Sequence, residues 1–597
     1  MTPQSRCPER FFKFLIMKKL LYSAAVLALL AAIAPSLTAR NTKSEIARNL
    51  TVFSEIYKEL QLNYIDTVDP EATIRTAINA MLATIDPYTE YYAPEDQEQI
   101  LSVSSGEYAG IGSTIQRRDS VVVMTDPRWD SPARRAGVRH GDILLAIDDV
   151  TVTPSMPIGD VSSKLRGQPG TEVSVRIRRP YVEDSLKTFN IVRGTITIDP
   201  VPYYGYIGDG VGYIRLTTFN EKSAGEFARA LADLKRDERV RSLIVDLRDN
   251  GGGLLEGAVQ IAGNFVPKGT TIVETRGRDP RQRKTFRTTH APVDTKIPVA
   301  VLIDQGTASA AEILSGALQD LDRAVIVGER SYGKGLVQNV RPLSYNSLLK
   351  ITTGRYYIPS GRLVQAVVYK HDGNDGNADG ATRIPDSLTN VFATAAGRKV
   401  RDGGGITPDS TVRTPDMTRL MYNLLVGYEL ENYANRYVNT HQAVPDSSWR
   451  LPDSVFNDFK AQIDRKNFKY ELPYDRGIDY LRDAARLDGY LNDSLTAELE
   501  KLSAMLKPDL ERDLDKNRSE ILGELGRLIN QRYFSEGEET RRALENDSVI
   551  ALACEILTTP ALYNYILSPE FEKGKIPVGL LSKPDAAAVK PSEKRRR

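Results

Sequence analysis

The stretch Ile297–Gln338, IPVAVLIDQGTASAAEILSGALQDLDRAVIVGERSYGKGLVQ, decides the fold. Its apolar run Ile297–Ile303 reads as a buried strand that ends at Asp304, turns through Gln305 and Gly306, and leads into a helix whose first residues carry Ser309. Ala310, Ile313, Leu314, Ala317 and Leu318 recur at i, i+3, i+4, i+7 and i+8, so one face of that helix is expected to be buried. A second strand, Ala324–Gly328, follows. Lys334 then stands between Gly333 and Gly335, 25 residues after Ser309.

A serine at the mouth of a helix can share its developing charge with backbone N–H groups, the usual construction of an oxyanion hole. A lysine desolvated among apolar walls can fall by about 3 units from its ordinary value and serve as a base, and Ser-Lys is a known variant of the nucleophile–base pair. Gln338 follows Lys334 by four, which places its amide on the lysine's side in strand or helix geometry and would aim the amine without adding charge. Two plainer readings compete. Ser309-Ala-Ala-Glu312 is also a capping box. Gly328-x-x-x-x-Gly333-Lys334 matches most of a phosphate-binding loop, although Gly335 stands where a magnesium-binding hydroxyl belongs and Leu336–Arg341 reads as extended rather than helical.

TASAAE and YGKG resemble the core of the C-terminal processing peptidases, the tail-specific serine proteases that carry a PDZ domain, whose pattern is a serine in A-S-A-x-E and a lysine in F/Y-G-K-G. The resemblance implies a mixed α/β fold: a crotonase/ClpP-like protease core with an inserted PDZ domain, an N-terminal helical segment and a C-terminal helical domain. It implies Ser309 as nucleophile, Lys334 as general base and Gln338 as the residue that orients it. It further implies an oxyanion hole from the N–H groups of Ala310 and of Gly252 or Gly253, a structural family position at Asp320, and no cofactor or metal. The activity implied is a serine endopeptidase that cleaves proteins after PDZ recognition of accessible C-terminal tails.

The rest of the 597 residues divides around this core. Within residues 1–40, Leu20–Ala34 is an apolar run of 15 residues preceded by Met17-Lys-Lys and followed by Leu37-Thr-Ala39, which reads as a signal peptide, with an uncleaved anchor as the alternative. The expected location is therefore across the inner membrane, periplasmic or tethered to the cell envelope. Residues 41–100 read as a helical segment with Leu50, Phe53, Ile56, Tyr57 and Leu60 on one face, interrupted by DPYTEYYAPED from Asp86. Such segments in the resembling family help dimers or frame the active site; simple packing is the alternative.

Residues 101–195 read as a PDZ domain. SVVVMT, DILLAID and EVSVRIRR are strands, Ser131–Ala136 and Pro157–Leu165 are helices, and Gly110-Ile111-Gly112 is the loop expected to bind a terminal carboxylate through backbone N–H groups. Arg118 and Arg166 read as solvated or structural charges. Residues 196–414 form the protease core. Val211–Phe219 and Ser242–Arg248 are its first strands, Phe227, Leu231 and Leu234 line a helix between them, and Asp249-Asn-Gly-Gly-Gly253 makes a tight turn into a further helix. In residues 370–386, Asp375, Asn377, Asp379, Gly380 and Asp386 fit calcium-loop positions, but Arg383, Pro385 and the lack of flanking helices favour a solvated loop.

Residues 415–575 are helical in pattern, with Leu495, Leu499, Leu502 and Leu506 as one stripe, and residues 576–597 form a basic tail expected to be disordered. Packing on the core, joining subunits and binding an adaptor are the roles open to that helical domain. The net charge of +1 argues against nucleic acid, and the two cysteines, Cys7 and Cys554, give no disulfide framework. None of the four histidines forms a metal motif; His290 is the best substitute base should the chemistry be Ser-His-Asp. The rival from another class is a catalytically inactive PDZ scaffold.

Overall fold

The computed structural model describes residues 43–572 except 209, 370–380, 413–416, 442–448, 464–467, 469, 471–472 and 507–508. The expected signal peptide, Cys7, the basic tail and most of the calcium-like loop lie outside the described residues.

The chain divides into two units at Ile85/Asp86. The first contains a helix over 43–63 and a second at Pro70–Ala83, capped by Asp69, whose carboxylate accepts from the N–H groups of Glu71 and Ala72. The stripe that predicted the first helix is present but open: Leu50, Phe53, Ile56 and Leu60 are exposed.

In the second unit, a six-stranded sheet forms the centre of the protease core. Its strands run in the order Tyr203–Ile207, Val211–Arg215, Ser242–Asp246, Val299–Ile303, Val325–Gly328 and Ser410–Thr411; the first pair is antiparallel and the others parallel. Side chains alternate across such a sheet. Val299, Val301 and Ile303 face one core, filled by Phe227, Leu231, Ile261, Ile313 and Leu314 from three helices, Ser223–Lys235, Leu255–Ala262 and Ala310–Asp320. Ala300 and Leu302 face the other, filled by Ile550, Ala553, Ile556, Leu562 and Ile566 from the helices Ser548–Thr558 and Pro560–Ile566. The last helices of the described chain are thus the outer layer of the protease sheet. Tyr563 anchors them, its hydroxyl accepting from the N–H of Val299 at 3.1 Å.

A second, antiparallel sheet is built on the long strand Leu348–Tyr357, which pairs with Leu336–Pro342, Thr271–Gly277 and the short Glu90–Tyr92. The PDZ strands form their own sheet. Its edge strand is Ser113–Arg118, and Val121–Pro127, Ile143–Ile147 and Glu172–Arg178 follow, with Ser131 capping the helix Pro132–Ala136. Further helices, among them Glu429–Thr440, Ser454–Gln462 and Arg518–Tyr533, enclose a separate core around Phe456, Phe459, Leu525 and Ile529. In Asp493–Leu506, only Leu499 of the expected leucine stripe is buried; Leu502 is exposed.

Candidate active site

Ser309 sits where the strand Val299–Ile303 turns into its helix, with φ 56° and ψ −116°. A non-glycine residue holds such a conformation only when its surroundings impose it, at a cost of about 1–3 kcal/mol. The surroundings are explicit. Asp304 ends the strand, and its Oδ1 accepts from the N–H groups of Asp249, Gly306 and Thr307 at 2.9–3.0 Å, joining the Ser309 turn to the glycine loop. Ala308 N–H donates to Asn250 O, and Thr307 Oγ1 to Leu247 O.

Below the turn lies Glu312, fully buried. Its Oε2 accepts from the N–H of Ser309 and from the N–H of Lys334, both at 2.9 Å; its Oε1 accepts from Gly333 N–H at 2.7 Å and Ser331 Oγ at 2.5 Å. One carboxylate therefore ties the serine segment to the lysine segment. Tyr356, buried beside it, donates its hydroxyl to the carbonyls of the same two residues, Ser309 and Lys334. Burial pushes the Glu312 carboxyl up to about 7, against the pull of its four donors. Of the N–H groups after Gly328 that could have cradled a phosphate, those of Gly333 and Lys334 are occupied by this side chain and those of Glu329, Ser331 and Tyr332 by backbone carbonyls, and Leu336–Pro342 is a strand, which removes the nucleotide reading.

The Lys334 side chain is half-buried, with Nζ 4.3 Å from the centroid of the Tyr88 ring. Burial is the chief cause that lowers the amine's pKa; the Lys350 ammonium adds to it, while the carboxylates of Glu90, Asp86 and Glu312 oppose it. Gln338 donates Nε2 to Thr352 Oγ1 at 3.3 Å. The strand begins only at Leu336, after a loop in which Gly333 has φ +89°, so Lys334 lies outside it and the i, i+4 argument for the amide's direction does not apply.

Gly252 packs directly on Ser309: a Cβ there would lie 2.8 Å from Ser309 Cβ and 2.9 Å from Ala310 N, and its φ is +98°. Its N–H, however, is donated to Asn250 Oδ1 at 2.9 Å, so of the three amides expected at the oxyanion hole this one is engaged. Gly253 pairs with Phe219, whose N–H and carbonyl bond to Gly252 O and Leu254 N–H, which turns the N–H of Gly253 to the opposite side. Ala310 is the first helical residue, so its N–H has no acceptor one turn back. Asp320 is structural, ion-paired with buried Arg362 at 2.8 Å.

His290 has both ring nitrogens 2.9 Å from backbone carbonyls, those of Ala291 and Gln260, and offers Ser309 no free acceptor. Among the described residues no group of three or more His, Cys, Asp or Glu is gathered as for a metal.

In the PDZ unit, Ile111 is buried and its carbonyl accepts from Ala133 N–H, while that of Gly112 accepts from Arg128 N–H. A trans peptide points its C=O and N–H in opposite directions, so the N–H groups of Gly112 and Ser113 face away from those partners, as a carboxylate nest requires. Gly110 closes the preceding strand beside Leu165 and Arg166, at the end of the helix Ile158–Leu165. Arg118 is structural: it is buried and paired with Glu431 of the helix Glu429–Thr440 at 2.6 Å.

Sequence reasoning missed three residues of this site. Glu312 was visible only as a cap, and no motif singled out Tyr356. Tyr88 lay in DPYTEYY, where Asp86-Pro87 and Thr89 form a side-chain-capped turn, the one local signal that the segment is fixed.

Three family models match the chain: peptidase family S41 over residues 210–372, a PDZ domain over 123–179, and the C-terminal helical domain of probable PDZ-proteases over 420–557. A carboxy-terminal-processing protease of Bartonella bacilliformis is 33% identical over 358 residues, covering 59% of this chain and 81% of that protein. The carboxy-terminal processing protease CtpB of Bacillus subtilis is 32% identical over 325 residues, covering 54% of this chain and 66% of that protein. A solved structure, the photosystem II D1 C-terminal processing protease, is 28% identical with a TM-score of 0.34, covering 59% of this chain and 85% of that one. The chain belongs to the carboxy-terminal-processing proteases, serine-type peptidases of family S41, and joins their PDZ domain to a C-terminal helical domain.

Proposed function

We propose that this protein is an endopeptidase working through a Ser309–Lys334 pair on substrates held by their C-terminal tails. The observation that carries the reading is the pair of 2.9 Å bonds from Ser309 N–H and Lys334 N–H to one oxygen of Glu312, which sets two residues distant in sequence side by side. Ser309 Oγ attacks the scissile carbonyl while the Lys334 amine takes its proton. The amides of Ala310 and Gly253 hold the oxyanion, and Lys334 returns the proton to the leaving amine before water resolves the acyl-enzyme. Gln338, fixed through Thr352, orients the lysine. The open edge of Ser113–Arg118 supports capture of a tail as an added strand, with its carboxylate at Gly110-Ile111-Gly112.

Digestion of a tagged, unstructured polypeptide tests the chemistry. Ser309→Ala and Lys334→Ala should each lower kcat by roughly 10³-fold or more while the folded protein persists. Equal cleavage by all three proteins would sink the Ser309–Lys334 reading, and no cleavage by the wild type would favour the PDZ scaffold. Trimming the last residues of the substrate should raise KM; unchanged kinetics would remove the tail-binding role.

Export to the cell envelope belongs to the same proposal and is supported by the apolar run Leu20–Ala34. Finding the protein only in the cytoplasmic fraction would exclude it. Self-association or adaptor binding through the helical domain is testable by sedentation velocity of the full chain with and without candidate partners.

A further inference from the structure

The segment Asp86–Tyr92 has no role in the mechanism above, yet it is fastened to the site more firmly than a linker requires. Asp86 Oδ1 accepts from the N–H groups of Tyr88 and Thr89 at 2.8 Å each, and its Oδ2 from Thr89 Oγ1 at 3.1 Å. Thr89 Oγ1 in turn accepts from Thr352 N–H at 3.3 Å, and Thr352 is the partner of Gln338. Glu90–Tyr92 then pairs in register with Leu348–Lys350, and Glu90 holds the Lys350 ammonium at 2.5 Å. The residue these bonds place is Tyr88, its ring face turned to Lys334 Nζ. The ring meets Tyr369, at 86° to it and 6.2 Å between centroids with the two hydroxyls 3.3 Å apart, and its hydroxyl also meets Tyr332.

We propose that Tyr88 is a positioning residue for the general base: its ring roofs the Lys334 amine, fixes its direction and keeps bulk water from it. The inference rests on the reading of Lys334 as the base. A ring face attracts an ammonium, but more weakly than water does, so a flat aromatic cover both steers the side chain and favours the uncharged amine over a fully hydrated one. The charged groups around the amine come from every neighbouring element: Lys350 on the long strand, Glu90 and Asp86 on the segment itself, and Glu312 beneath. Glu90 is engaged by Lys350, Asp86 by the turn it caps and Glu312 by its four donors, so none needs the amine as its ion-pair partner.

The test uses the full chain and a tagged peptide substrate, with rates measured from about pH 6 to about pH 10.5. Tyr88→Phe keeps the ring and should retain kcat and the position of the acid limb. Tyr88→Ala should lower kcat by about tenfold at neutral pH with KM unchanged, and should move the acid limb upward by about one pH unit as water reaches the amine. Tyr88→Leu, which preserves apolar bulk if the smaller side chain unsettles the fold, should lose kcat at an unchanged melting temperature. Wild-type kcat and limb in Tyr88→Ala, or a loss in Tyr88→Phe equal to that in Tyr88→Ala, would overturn the proposal; the second result would assign the effect to the hydroxyl contacts. Lys334→Ala run in parallel separates the two levels: full activity there removes the base itself, whereas an inactive Lys334→Ala beside unaffected Tyr88 variants removes only the roof.

Discussion

On the reading of Lys334 as the base, the amine accepts a proton only in the molecules in which it is uncharged, so its surroundings would set the pH range of activity. Burial and the Lys350 ammonium hold its pKa below the ordinary lysine value. The rate should therefore rise with pH and level off below about 10.4, the unperturbed value. Lys350→Glu should move that limb upward, because a like charge is replaced by one that favours the ammonium; a limb unmoved in a pH–rate profile would show that the two amines do not sense each other. Glu312 titrates with the opposite consequence for stability. Its folded-state pKa of about 7 lies above the unfolded value, so its contribution is full below the unfolded pKa and is lost as pH rises through about 7. Between about pH 5 and about pH 8 the wild-type melting temperature should fall by more than that of Glu312→Gln, whose amide cannot ionise. The sequence singles out Ser309 and Lys334 because each stands in a short pattern with its own chemistry, and their backbones do converge on Glu312. Glu312 was legible only as a cap: spacing shows i, i+3 within a helix, but not a second segment arriving from residues 331–334.

At the scale of elements, the lysine loop is shaped by what it lacks. Gly333 has φ +89°, and a Cβ there would collide with Ala366. Gly333→Ala should thus displace Lys334, costing about 2–3 kcal/mol of stability and at least roughly tenfold in kcat, measurable by denaturant melts and peptide cleavage. The strands and helices around the site were readable because their apolar periods are clean; Phe227, Leu231 and Leu234 are all buried as their spacing required. Gln338 shows where periodicity stops helping. Lys334 precedes the strand that carries Gln338, so the period that orders Leu336–Pro342 does not reach back to the lysine, and the extra residue at the register shift, Thr353, lies on the partner strand. The stripe Leu495–Leu506 shows the converse, a regular pattern of which only Leu499 is buried within the described chain.

Across the whole molecule, the PDZ unit meets the helical domain at a charged node. Glu431 lies 2.6 Å from Arg118, 3.0 Å from His140 and 3.6 Å from Arg532. Burial alone would raise its carboxyl; His140 and Arg118 outweigh that and hold it at about 2. The sign is opposite to that of Glu312: this contribution is present above the unfolded value and is lost only as pH falls toward about 2. Glu431→Ala leaves three cationic or titratable groups without their shared partner and should cost about 2 kcal/mol, with faster hydrogen exchange in Ser113–Arg118 if the node holds the PDZ unit in place. Sequence alone could not reveal this contact, because its members lie about 300 residues apart and each reads as an ordinary surface charge. The same distance hid the role of Ser548–Ile566. Its apolar residues announced burial, but nothing local named the sheet that buries them.

That placement has a temporal consequence. On the ribosome, the strand Val211–Arg215 emerges long before the helices that cover its outer side, so the growing chain carries an uncovered apolar surface until Ser548–Ile566 has been made. Chains released before Ser548 would lack that cover and should clump or be degraded instead of gaining activity. Completion of the protease sheet is thus deferred until that segment has left the ribosome.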